Sequence, residues 1–246
     1  NLNPTTTALV PSANPSNAGD PVNFTATVIP TSGAGTPTGS VTFSVDGAAV
    51  STVPLTGGEA VFATSTLAAG THTIEAAYSG DAAYAASADT LNQDVDLIAT
   101  TTDLASDDNP SSPGDNVTFT ATVTPASGTA TPSGSVTFSI DGSAVSTVTL
   151  TGGQASFATS TLPVGTHAVE AAYIPDPAFD ASSASLVQAV EAIGTTTTIA
   201  SSRNPGIALE EVTFTTTVSQ QTGTATPSGA VRFAIDGADV ATVGLV

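Results

Sequence analysis

Pro37-Thr-Gly-Ser-Val-Thr-Phe-Ser-Val-Asp-Gly47 is the stretch on which the reading of this chain turns. Val41, Phe43 and Val45 alternate with Thr42 and Ser44, the period of a strand with one face buried and one face in water. The run ends at Asp46-Gly47, a dipeptide that accepts the positive φ angles of a tight hairpin turn. The pattern returns at residues 132–142 and again at residues 227–237, each time displaced by 95 residues. Asn14-Pro15, Asn109-Pro110 and Asn204-Pro205 keep the same step, as do Phe24, Phe119 and Phe214, so no insertion or deletion separates the copies. Such strict self-similarity is the signature of a tandem array.

A period of 95 residues lies inside the size range of a domain that buries its own core, which predicts one domain per period. The expected domains are 1–96, 97–191 and 192–246. The third copy stops level with Thr151 and has no counterpart of Gly152-Gly153, His167 or Tyr173, so only its N-terminal part is present and the chain reads as a fragment of a longer array. It begins at Asn1 without a basic or apolar leader, and any export signal is expected upstream or removed.

Within one period the alternation recurs in seven runs. Residues 5–10 form the first, and Val22, Phe24, Ala26 and Val28 mark the second. Val41 to Val45 are the third, followed by Val50, Val53 and Leu55, closed by Gly57-Gly58. A fifth runs from Ala60 through Phe62 to Leu67, a sixth carries Ile74, Ala76 and Tyr78, and a seventh Leu91, Gln93 and Val95. Seven short strands with turn signals every 8 to 12 residues and no helical period predict an all-β chain of tandem immunoglobulin-like β-sandwiches. There is no cysteine or tryptophan, so the core must rest on aliphatic and phenylalanine packing. Tyr78 and Tyr173, on the sixth strand, can either cap a corner through the hydroxyl or simply edge the core.

The runs Thr5-Thr-Thr7, Pro37 to Phe43, Leu67-Ala-Ala-Gly-Thr-His72 and Ala77-Tyr-Ser-Gly-Asp81, followed by Tyr84, resemble the bacterial immunoglobulin-like repeats found in tandem in large surface and secreted proteins. The second copy matches with Thr100-Thr-Thr102, Leu162-Pro-Val-Gly-Thr-His167 and Ala172-Tyr173. It departs at Ile174-Pro175-Asp176, where Ser-Gly before the aspartate is missing, so a different turn is expected there. The resemblance implies a sandwich fold and a role as a spacer attached to varied effectors.

Net charge is −19, with Arg203 and Arg232 the only basic residues and no lysine. Nucleic acid and anionic lipid are therefore excluded as partners, since both require cations to replace the counterions of phosphate. Acids number eight, nine and four in the three periods, so there is no acidic tail. Charged residues are only 9% of the chain, and the polar surface must come mainly from Thr, Ser, Asn and Gln. No apolar run is long enough for a membrane helix, so no membrane insertion is expected.

Candidate chemistry is sparse. His72 and His167 are the only histidines and stand at equivalent positions, which favours a packing or turn-stabilising role over catalysis. No Gly-x-Ser-x-Gly elbow or histidine-based zinc motif is present. The glycine-rich residues 33–39 are a loop between strands rather than a phosphate cradle, because no helix follows. Asp94, Asp96, Asp103, Asp107 and Asp108 cluster at the first junction, yet the second junction offers Ala189, Glu191, Thr198, Ser202 and Arg203, which argues against a shared calcium joint. Asn23 and Asn116 lie in Asn-x-Thr sequons that do not keep the repeat register, and residues 162–166 resemble a sortase signal only in letters. No catalytic, cofactor-binding or metal residue is assigned, no cofactor is expected, and the chain is not expected to be an enzyme.

The junctions, residues 93–99 and 188–194, are short and apolar, which predicts a semi-rigid extended rod whose repeats touch their neighbours. The leading expectation is an extracellular or cell-surface spacer presenting an effector outside this segment. One rival is an adhesive or carbohydrate-binding module using sandwich-end loops, with Tyr84 and Phe179 as stacking platforms for a surface polysaccharide or protein. Others are an ancillary region of an exported enzyme, or completion of the third copy by a strand from another chain.

Overall fold

The computed structural model describes residues 1–221 and 226–246. Every regular element among them is a strand. The first copy holds β1 (Thr5–Pro11), β2 (Ser16–Asn17), β3 (Val22–Pro30), β4 (Ser40–Val45), β5 (Ala48–Pro54), β6 (Glu59–Thr64), β7 (Gly70–Tyr78) and β8 (Ser87–Asp96). They form two sheets, β1-β3-β6 and β2-β8-β7-β4-β5. The second copy repeats this with β9 (Thr100–Ser106), β10 (Val117–Pro125), β11 (Gly134–Ile140), β12 (Ser143–Thr149), β13 (Gln154–Thr159), β14 (Gly165–Pro175) and β15 (Ser183–Val190). Its sheets run β9-β10-β13 and β12-β11-β14-β15.

Alternation decides what faces inward. Along β3, Val22, Phe24, Ala26 and Val28 are buried while Asn23 and Ile29 are exposed, and β10 repeats the arrangement. One apolar cluster joins Leu9, Phe24 and Val28 from the first sheet to Val41, Phe43, Ile74 and Tyr78 from the second. A separate cluster does the same with Phe119, Val136, Phe138, Val169 and Tyr173. Each fully buried Phe or Ile contributes roughly 1.5–3 kcal/mol, which offsets the missing disulfide and tryptophan. Phe62 packs on both Phe24 and Phe43, at centroid distances of 6.2 and 5.5 Å. The result is the immunoglobulin-like sandwich that the strand count predicts.

Three details differ from the sequence reading. The two-residue β2 pairs in parallel with the end of β8, Ser16 opposite Val95, and is too short to show a period. The strand expected to reach Leu67 ends at Thr64, although Leu67 still packs against the core. At the turn expected to differ, Gly80 adopts φ 79° in the first copy, where β7 ends at Tyr78. Proline stands at the equivalent position 175 and cannot take that angle, so β14 continues and pairs Pro175 with Gly134.

The third copy contributes β16 (Thr195–Ser201) paired with β17 (Phe214–Gln220), and β18 (Ala230–Ile235) paired with β19 (Ala238–Gly244). No counterpart of β6, β7 or β8 falls within the 246 residues, and Phe214 is 45% exposed where Phe24 and Phe119 are fully buried.

Each complete core also buries one glutamine, Gln93 and Gln188. Gln188 is satisfied on both sides: its amide donates to Ser111 Oγ, Asp108 O and Ala189 O, and its carbonyl accepts Ser106 Oγ at 2.7 Å. Gln93 donates to Ser16 Oγ and Asp94 O, but its carbonyl oxygen has no partner. The cause is one residue, because Pro11 stands where the second copy has Ser106. Ser106→Ala should therefore cost the second copy about 1–3 kcal/mol by orphaning the Gln188 carbonyl. Chemical denaturation of the variant checks this, and an unchanged midpoint would show that the hydroxyl is dispensable.

Candidate functional site

The side chains that recur most faithfully between the copies gather where each copy's entry segment meets its last strand. Asn14 lies between β1 and β2, and its side chain imitates a strand: Nδ2 donates to Asn92 O at 2.7 Å and Oδ1 accepts Asp94 N at 2.9 Å. Asn109 does the same with Val187 O and Ala189 N. Both Asn-Pro peptides are cis. Above this point Thr5 and Thr7 both reach Ser87 Oγ at 2.8 Å, and Thr100 and Thr102 reach Ser182 Oγ at 2.8 and 2.7 Å. The threonine triplets are thereby explained, since alternate hydroxyls of the first strand bridge to the opposite sheet.

The histidines occupy the hairpin end of the second sheet. Asp46 and Asp141 both take φ 51°, and Gly47 and Gly142 follow at 80° and 78°, as the Asp-Gly reading requires. His72 Nδ1 lies 2.8 Å from Asp46 Oδ2, and its Nε2 lies 2.9 Å from the Ala68 carbonyl. Asp46 Oδ1 accepts Thr73 N, so one carboxylate ties the turn to β7. His167, Asp141, Pro163 and Ala168 reproduce the set. Both ring nitrogens face acceptors, an arrangement only the protonated ring satisfies in full. Hydrogen bonding to the aspartate, then to the carbonyl, raises the histidine pKa in both copies. The same hydrogen bond lowers Asp46 and Asp141. With both nitrogens engaged, neither ring offers a free base to a substrate, and the geometry is that of a turn clip.

The tyrosines and loop aromatics resolve differently. Tyr78 donates to Thr38 O at 2.6 Å and Tyr173 to Ser133 O at 2.5 Å, so both cap a strand-to-loop corner. Burial, with the nearby Asp81 and Asp176 charges, pushes both phenols up. Asp81 accepts bonds from Thr38, Ala83 and Tyr84, which hold its carboxyl well below the usual range. Tyr84 and Phe179, expected to be exposed stacking platforms, are 8% and 4% exposed and belong to the two cores. Their burial is a correction with a clear cause: backbone bonds from Asn3 and Ile98 pin the chain on either side of each ring. The glycine-rich loop covers Tyr84, and a Cβ at Gly35 (φ 134°) would lie 2.2 Å from its hydroxyl oxygen. The second copy has Ala130 at that position, opposite Phe179, which carries no hydroxyl.

The junction acids are dispersed. Asp94 accepts Thr71 Oγ1, Asp107 accepts Thr118 N, and among the described residues no three acids or histidines converge to hold a metal. Asn23 and Asn116 are both exposed. Among the described residues no helix is long and apolar enough to cross a membrane.

Sequence reasoning missed Asn14, Asn109, Ser87 and Ser182, although the register of the Asn-Pro pairs was the signal that could have found the first two. A family model described as bacterial Ig-like domain, group 3, matches residues 9–96 and 104–191. Comparison with curated proteins finds no significant match. Among solved structures, the fibronectin(III)-like modules of Clostridium thermocellum CbhA align at 17% identity and TM-score 0.34, covering 76% of this chain and 94% of that one. The Escherichia coli adhesin FdeC aligns at 16% identity and TM-score 0.35, covering 91% and 77%.

The two clips generate a pH test. The histidines, raised on folding, contribute stability fully present below their ordinary value of about 6.5 and lost as pH rises through the folded value. The aspartates, lowered, contribute above about 3.8, and that share is lost as pH falls through their folded values. Melting temperature should therefore fall as pH rises above about 6.5. His72→Gln with His167→Gln should remove that slope, since no other histidine exists. A slope that survives in the double variant would place its origin elsewhere.

Proposed function

Because the chain belongs to the bacterial Ig-like domain family of group 3, we propose that it is a structural spacer at a bacterial cell surface or in a secreted protein. It separates an effector domain, outside this segment, from its point of attachment. The single observation that carries this reading is the link between the first two copies. Only residues 97–99 lie between the end of β8 and the start of β9. The middle one, Ile98, is 5% exposed and packs within the second core. Its N–H donates to Ala178 O and its carbonyl accepts Asp180 N, both at 2.9 Å. A linker built into the next sandwich has little freedom to swing, unlike a Gly/Ser tether.

The adhesive reading draws less support, since burial of Tyr84 and Phe179 removes the stacking surface it needed. An ancillary region of an exported enzyme would use the same spacer properties, with its chemistry elsewhere in that protein.

Small-angle scattering should give an elongated particle, and Ile98→Ala should both loosen it and destabilise the second copy by about 2–5 kcal/mol. A compact globule, or a profile indifferent to Ile98, counts against the spacer reading.

A further inference from the structure

Asp-Gly occurs three times in the chain, at residues 46–47, 141–142 and 236–237, each time as the tight turn of a hairpin. The dipeptide is also a point of chemical weakness. The nitrogen of the residue after an aspartate can attack the aspartate Cγ, and glycine, having no Cβ, leaves that nitrogen unshielded. A C–N bond forms and a succinimide ring closes, while the Cγ–O bond of the protonated carboxyl breaks and its hydroxyl leaves with the amide proton as water. Hydrolysis returns that water at either ring carbonyl. One route restores aspartate; the other gives isoaspartate, whose main chain runs through the side chain and is longer by a methylene. In a hairpin the turn sets the register of both strands, so the extra length falls where it does most harm.

The backbones of the three turns agree closely. Their aspartates have φ of 51°, 51° and 52°, and their glycines 80°, 78° and 82°. The carboxylates differ. Asp46 Oδ2 accepts His72 Nδ1 at 2.8 Å and its Oδ1 accepts Thr73 N at 2.9 Å, and Asp141 is held in the same way by His167 and Ala168. A carboxylate tied at both oxygens to the neighbouring strand reaches its own glycine nitrogen only by giving up both bonds. Burial offers no such protection, because the Asp46 and Asp141 side chains are 53% and 54% exposed. The histidine bond also keeps both carboxyls ionised to lower pH, the form from which water leaves least readily. Asp236 is exposed, and among the described residues no donor reaches its carboxylate. We propose that Asp236 is a site of isoaspartate formation, and that His72 and His167 guard the equivalent turns of the first two copies against the same reaction. The clip then preserves the covalent path of the hairpin as well as its shape.

The test is prolonged incubation of the full chain near neutral pH, then labelling with an isoaspartyl methyltransferase and S-adenosylmethionine, and peptide mapping. Label should gather at Asp236, with Asp46 and Asp141 at about a tenth of it or less, as two hydrogen bonds to a charged group allow. His72→Ala should raise the label at Asp46 roughly tenfold and leave Asp141 unchanged. That variant also weakens the first copy, so Val28→Ala is its comparison: it opens the same core, touches no member of the clip, and should leave Asp46 at its original level. An unlabelled Asp236, equal label at the three aspartates, label at Asp46 indifferent to His72, or equal label at Asp46 in the two variants would each overturn the proposal.

Discussion

Each sandwich closes because its entry segment must belong to both sheets. β1 pairs with β3 in one layer, and a few residues later β2 lies against β8 in the other. A chain making that crossing leaves backbone groups of the last strand without a regular neighbour. Asn14 and Asn109 supply the missing donor and acceptor from a side chain, and the Thr/Ser hydroxyls sew the strand above them. The first and last strands of a copy are thus held to each other by its own residues. That closure is what allows a copy to be repeated: it makes few demands on its neighbour beyond a short link.

The opposite side of the fold is organised by the aspartate of the hairpin. It must accept a positive φ, carry a carboxylate that reaches β7, and orient a histidine whose other nitrogen holds the loop after β6. Asp-Gly is therefore more than a turn signal here. The link at Ile98 adds a further constraint, since its backbone bonds fix the loop that carries Phe179 and thereby bury that ring. An aromatic that looks available in a loop becomes core because the segment before the first strand of its copy pins that loop.

Much of this was legible in the sequence. Alternation at Val22, Phe24, Ala26 and Val28 placed the core face, Asp46-Gly47 placed the hairpin, and the loss of Ser-Gly at Ile174-Pro175 marked the one turn that differs. What was not legible depends on contacts distant in the chain. The partners of Asn14 and Asn92, or of Thr5 and Ser87, lie some 80 residues apart, and no local period reports such pairing. β2 is too short to have a period at all. Tyr84 and Phe179 misled because loop position suggests exposure, whereas their burial is set by a backbone bridge to residues that precede the first strand. The difference between Gln93 and Gln188 was visible as Pro11 against Ser106, yet its meaning required the geometry.

Closure of each copy by its own ends can be tested at Asn109. Asn109→Ala removes both strand-imitating hydrogen bonds and leaves the apolar core untouched, a loss of about 1–3 kcal/mol. In chemical denaturation followed by residue-resolved NMR, the second copy should unfold at lower denaturant while the first keeps its midpoint. A variant in which both copies shift together, or in which neither moves, would contradict closure by the entry segment.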